Sequence, residues 1–129
     1  MHAIIPRWEW RTFGTTFGAA DERFGALSAE KVQESDETYL LSPANDANVK
    51  IRDALMDLKT LVEVGPTGLE QWRPMMKATF PLSRDVLQDV CAALGVAFPS
   101  TAGDAVTLEQ LGSLLADRGV RAIAVHKRR

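Results

Sequence analysis

The stretch Val49–Lys59, VKIRDALMDLK, decides how the rest of the chain is read. It reads as two short strands joined by a tight connection at Asp53–Leu55. Successive side chains of a strand point to opposite faces. Lys50 and Arg52 therefore share one face, with Val49 and Ile51 on the other. Beyond the connection, Asp57 and Lys59 share a face opposite Met56 and Leu58. One face of this hairpin suits a core. The other is charged, and either meets solvent or looks into a barrel that holds an anion.

The 129 residues fit a single domain, 1–129, large enough to bury a core without staples. Hydrophobic residues at 46% and charged residues at 25% are a globular composition, not a disordered one. A net charge of −2 gives no field that would draw the chain to nucleic acid or acidic lipid. Any anion site must therefore come from local clustering. The single cysteine, Cys91, excludes an internal disulfide and a cysteine-based zinc site, and favours a reducing compartment. The start, MHAIIPRWEW, lacks the pattern of a signal peptide, and no stretch has the apolar length of a membrane span. The expectation is a soluble, cytoplasmic protein with no nucleic-acid or membrane partner.

Working outward from the hairpin, Pro6 opens a strand over Arg7–Phe13 in which Arg7, Glu9 and Arg11 alternate with Trp8 and Trp10. Its two indoles are expected to pack on something, a helix by preference. A helix follows over about Ala19–Leu27, then a polar, acidic connection over Ser28–Glu37. ETYLLS (37–42) is strand-like, Pro43 ends it, and Pro43–Asn48 is turn chemistry. The second hairpin strand runs on to Val64, and Gly65–Gly68 is a turn. Leu69–Phe80 is another strand, with Pro74 demanding an edge position or a bulge.

Two helices come next. Ser83 caps the first; Val86, Leu87, Val90, Cys91 and Leu94 form its apolar stripe, and Gly95 stops it. Thr107 and Gln110 have capping-box spacing for the second, which buries Leu108, Leu111, Leu114 and Leu115 and ends at Gly119. Val120–Arg129 returns to strand character and turns basic at its end. No closing turn follows, so the chain is expected to be part of a longer protein.

Catalytic motifs are absent from this pattern. His2 and His126 read as solvated, and Cys91 as a buried, inert thiol. The Gly65–Gly68 turn lacks the lysine and helix of a phosphate-cradling loop. What repeats is alternating cations: Arg7 and Arg11, Lys50 and Arg52, Lys59, then Lys127 and Arg129. Each pair alone fits a solvated sheet face. If the faces converge, they repel unless an anion sits among them, and phosphate oxygens suit Arg and Lys donors. Glu9 and Asp57 share those faces, as carboxylates serving a hard divalent metal would.

W-E-W-R (8–11), ETYLLS, NVKIR (48–52), LMDLK (55–59) and VHKRR (125–129) together resemble the first part of a CYTH domain, the triphosphate tunnel metalloenzyme superfamily. The resemblance implies an α+β fold, an antiparallel β-tunnel with helices packed outside, incomplete here. It implies a basic lumen for a triphosphate or polyphosphate, and Mg²⁺ or Mn²⁺ held by carboxylates. Glu9 stands at the second glutamate of the family's E-x-E-x-K, with Arg11 in place of its lysine. Lys50 and Arg52 stand at R-x-R, Lys59 at the strand-end lysine, and Lys127 and Arg129 at K-x-R. Arg73 and Lys77 are further candidate lumen cations. Arg7 departs from the pattern, replacing the first glutamate with a cation. The family's closing strands, with their E-x-E metal pair, have no counterpart before Arg129. The implied function is triphosphate or polyphosphate binding by a domain ancestrally a metal-dependent hydrolase. The alternative is a non-catalytic anion-sensing or interaction module attached to a phosphate-metabolising enzyme. Missing strands or a homodimer would complete the tunnel and its metal site.

Overall fold

A computed structural model of the protein describes residues 7–11, 14–44 and 47–129. The expectations for His2, Pro6, Thr12, Phe13 and the Asn45–Asp46 part of the turn lie outside these residues. The elements are β1 (Arg7–Glu9), α1 (Ala19–Gly25), β2 (Glu34–Leu41), β3 (Asn48–Arg52), β4 (Leu55–Val64), β5 (Glu70–Thr79), β6 (Leu82–Ser83), α2 (Arg84–Leu94), β7 (Ala105–Val106), α3 (Leu108–Ala116) and β8 (Arg121–Arg128).

The hairpin of β3 and β4 lies at the middle of one antiparallel sheet, ordered β1-β5-β4-β3-β2-β8. Its connection is Asp53–Ala54, one residue shorter than expected, because Leu55 already pairs with Arg52. Both turn residues have positive φ, 50° and 57°. That is the two-residue turn whose twist matches the strands it joins. Among the described residues β1 and β8 each have one neighbour, so the sheet is open. It curls into half a barrel, giving an α+β architecture.

The alternation in the hairpin now has a direction. Val49, Met56 and Leu58, joined by Leu40 of β2, form the convex face and are almost wholly buried. They meet Leu87, Val90, Cys91 and Leu94 of α2 and Leu111 and Leu115 of α3. Both helices start as their sequences require. The Ser83 hydroxyl accepts from the Val86 amide, and Thr107 and Gln110 form a reciprocal capping box. Gly95, at φ 67°, ends α2 against the turn; a Cβ there would lie 2.8 Å from that of Ala44. The Ser42 hydroxyl donates to the Leu94 carbonyl, fixing the end of α2 to the end of β2.

Two expectations change, and the choice left open at Pro74, edge or bulge, is decided. The first strand stops at Glu9, and its indoles find only partial cover: Trp10 tilts against Phe24 of α1 at 5.3 Å, and both Trp8 and Trp10 stay about half exposed. The acidic connection before ETYLLS is already strand, since β2 begins at Glu34 and pairs with β8 from there. Pro74 does not mark an edge, because β5 lies between β1 and β4. Instead the register shifts there, with Leu58 opposite Met76 and Lys59 opposite Pro74. Met75 is the extra residue of a bulge, one of the placements in which a strand tolerates proline.

On the outer face His126 of β8 sits 2.9 Å from Asp36 and 3.5 Å from Glu34, both on β2. Hydrogen bonds to these carboxylates hold its pKa above the usual 6.5. A raised folded pKa means stability fully present below 6.5 and lost as pH rises through the folded value. A His126→Gln variant is expected to melt below the wild type at pH 5.5 and level with it at pH 9, in thermal scans at both pH values.

Candidate functional site

The concave face is built by the other half of the hairpin's alternation. Asn48, Lys50 and Arg52 of β3 lie opposite Lys59, Asp57 and Leu55 of β4. Asp57 in turn lies opposite Lys77 of β5, and Lys50 opposite Tyr39 of β2. Glu37 and Tyr39 share a side of β2, and through the β2–β8 register Ser35 pairs with Lys127. Arg129 continues the same side of β8, its backbone bonded in both directions to Gln33 at 2.7 Å.

The floor of this face is an alternating row of charge: Lys127, Glu37, Lys50, Asp57, Lys77. Its centre is Lys50, whose Nζ lies 2.8 Å from Glu37 Oε1, with the two side chains 2% and 0% exposed. Ser35 Oγ donates to Glu37 Oε2 at 2.6 Å, and the Lys50 ammonium lies 5.8 Å from the Tyr39 ring centre. Burial pushes the Glu37 carboxyl up. The hydrogen bonds from Lys50 and Ser35 and the charges of Lys50 and Lys127 outweigh it, taking the carboxyl to about 2. Asp57 is also buried, and its Oδ1 has no hydrogen-bond partner among the described residues. Asn48 Oδ1 and Arg11 Nε are in the same position.

Above the floor the cations converge. Arg11 follows β1, at the opposite end of the sheet from β8, yet it contributes to the field felt by Lys127. Curling of the sheet into half a barrel brings the two ends within electrostatic reach of each other. Burial first, then the charges of Lys50, Arg11 and Arg129, push Lys127 down to about 8, against an opposing pull from Glu37. Lys59 is lowered by burial, while Glu9 and Asp57 pull it up and Lys50 and Lys77 push it further down. Arg11 itself stacks over Trp72 at 5.0 Å and reaches Glu9 at 3.4 Å.

The cations expected from sequence thus divide. Lys127 is the outer, β8 end of the charge row, and Arg129, Arg11, Arg52 and Lys59 lie around the row on the concave face. Lys50 is buried at its centre, paired with Glu37. Lys77 closes the row beside Asp57. Arg73 is corrected to the convex side: it pairs with Thr60, one step out of phase with Lys59. The four-residue spacing of Arg73 and Lys77 would give them one face in a regular strand, and the bulge at Met75 reverses it. Arg7 pairs with Trp72 through its backbone. Glu37 was missed as a site residue, although ETYLLS carries its signal: two residues from Tyr39, it must share that face.

What the arrangement offers is a concentration of cationic donors on one face of the sheet. Among the described residues no group of three or more His, Cys, Asp or Glu could hold a metal. His126 lies outside, and Cys91 is in the core, its thiol pushed up by burial. A hollow of about 400 Å³ beside α3 and one of about 230 Å³ at Trp8 lie apart from these cations, with Glu109 the sole charged side chain in either lining. Among the described residues no helix is long and apolar enough to cross a membrane. No protein-family model matches the chain, and no curated protein or solved structure matches it either.

Proposed function

We propose that the concave face binds a triphosphate or polyphosphate anion, in a CYTH-like tunnel completed by further strands or by a second copy of this chain. The observation carrying this reading is the convergence of Lys50, Arg11 and Arg129 on Lys127 from three separate parts of the chain, where burial and their repulsion already disfavour the Lys127 ammonium. An anion entering there relieves a cost the fold has built in. A flexible, multiply charged phosphate chain can meet several of these donors at once.

Hydrolysis is a separate matter. Mg²⁺ or Mn²⁺ would need several carboxylate oxygens, whereas Glu9 is engaged with Arg11 and Glu37 with Lys50. The donors present do not make that site. Glu9 would contribute only alongside carboxylates from outside the chain. The same pairing of Glu9 favours the second reading, a non-catalytic anion-sensing module.

Calorimetric titration with tripolyphosphate at pH 7 tests both. The wild type is expected to bind, and Arg11→Met to weaken binding roughly tenfold, the loss of one charged donor. Arg73→Met, on the convex side, should leave it unchanged. Absence of binding would reduce the cations to a structural network. Phosphate release with Mg²⁺ or Mn²⁺, lost in Glu9→Gln, would make the chain an enzyme and remove the sensing reading.

A further inference from the structure

We propose that Glu37 is a built-in competitor of the anion: it holds Lys50 closed, and only a ligand that displaces its carboxylate gains the central cation of the face. This rests on the anion-binding reading and adds a selectivity device to it. The geometry is specific. Lys50 is the central member of the charge row, and its ammonium is covered by a carboxylate at 2.8 Å. That carboxylate is itself anchored through Oε2 by Ser35, with Oε1 left against Lys50. A carboxylate on an ammonium occupies the position a phosphate oxygen would take.

Two classes of anion are then treated differently. Orthophosphate is small enough to sit on the outer cations, Lys127, Arg129 and Arg11, leaving the buried pair intact. A tripolyphosphate spans from those cations to the floor, where it must break the contact between Glu37 and Lys50. Separating a buried pair is costly unless another charge replaces the departing one. The longer anion supplies that charge and remains held at the rim while it does so. Glu37 is accordingly a positioning residue, acting through Lys50, and it sets a threshold of ligand length and charge.

Titration of tripolyphosphate and orthophosphate into four proteins tests this. In Glu37→Gln, tripolyphosphate should bind at least tenfold more tightly than to the wild type, with a much smaller gain for orthophosphate. Ser35→Ala changes no charge and only loosens Glu37, so it should give a smaller gain in the same direction. Asp36→Asn removes the same charge from the outer side of β2 and should change neither ligand by more than twofold. Thermal melts establish that each variant is folded, and Ser35→Ala keeps the test open if Glu37→Gln is not. Equal gains for both anions, or a gain in Asp36→Asn matching that of Glu37→Gln, would reduce the effect to net charge and overturn the proposal. So would unchanged binding in the folded Ser35→Ala and Glu37→Gln proteins, while leaving the anion site standing. If neither the wild type nor any variant binds either anion, the anion site falls and the competitor with it. Binding by Glu37→Gln alone would mean a lock fully closed in the wild type, in support of the proposal.

Discussion

Lys50→Met is expected to destabilise the protein by about 3–5 kcal/mol at pH 7, the loss typical when one partner of a buried ion pair is removed. The size of the effect comes from what stays behind. Glu37 would be left with its side chain wholly enclosed, hydrogen-bonded by Ser35 and still within the field of Lys127. The double variant Glu37→Gln/Lys50→Met should recover most of the loss, because no uncompensated charge remains in the floor. Urea denaturation of the single and double variants measures both. The pH dependence follows from the depressed carboxyl. A folded pKa of about 2 against an ordinary 4.5 means that this contribution is fully present above 4.5 and lost as pH falls towards 2. Over that range the wild type should lose stability faster than the double variant. A single variant within about 1 kcal/mol of the wild type would mean that Glu37 reaches solvent and that the floor is not closed.

The same pair shows where reading from sequence succeeds and where it stops. Period-two alternation assigned Lys50, Arg52, Asp57 and Lys59 to one face and Val49, Ile51, Met56 and Leu58 to the other, and the sheet keeps that division. Caps at Ser83 and Thr107 and the stop at Gly95 were legible because each rests on local backbone chemistry. Arg73 was placed wrongly because a bulge reverses faces without changing the spacing, and Pro74 announced an irregularity but not its phase. The burial of Lys50 was not legible. It depends on Glu37 standing diagonally across β2, and strand neighbours distant in sequence are set by pairing, which a single strand's pattern does not contain. The Glu34–Asp36 segment of β2 reads from sequence as part of an acidic connection for a related reason. Its acidic composition is unusual for a strand, and it becomes one by pairing with the basic end of β8. The turn that begins at Pro43–Ala44 needed no partner to be readable, whereas Asn48, expected in the same turn, already opens β3 by pairing with Lys59. Curl is the most collective property of all: Arg11 and Lys127 meet electrostatically only through the curl of the whole sheet.

That meeting produces the strongest expected dependence on pH. Tripolyphosphate affinity should fall roughly tenfold per pH unit above pH 8, reaching about a hundredfold by pH 10, relative to a Lys127→Arg variant. Lys127 titrates at about 8 in the free protein, because burial and the charges of Lys50, Arg11 and Arg129 disfavour its ammonium. A bound polyanion favours that ammonium and raises its pKa, so binding takes up a proton whenever the free lysine is neutral. Below pH 8 the lysine is already charged and affinity is flat; above it, each unit of pH adds the cost of reprotonation. Arginine keeps its charge throughout, so Lys127→Arg should lack this decline. Titration of the ligand's own phosphates cancels in the ratio of the two proteins. Lys59, also lowered, acts in the same sense and is common to both. Calorimetry in buffers of different ionisation enthalpy would count the proton directly: uptake by the wild type at pH 9 and less by Lys127→Arg. Equal pH profiles for the two proteins would place the anion away from Lys127, and would separate the convergence of charge seen across the half-barrel from the binding assigned to it.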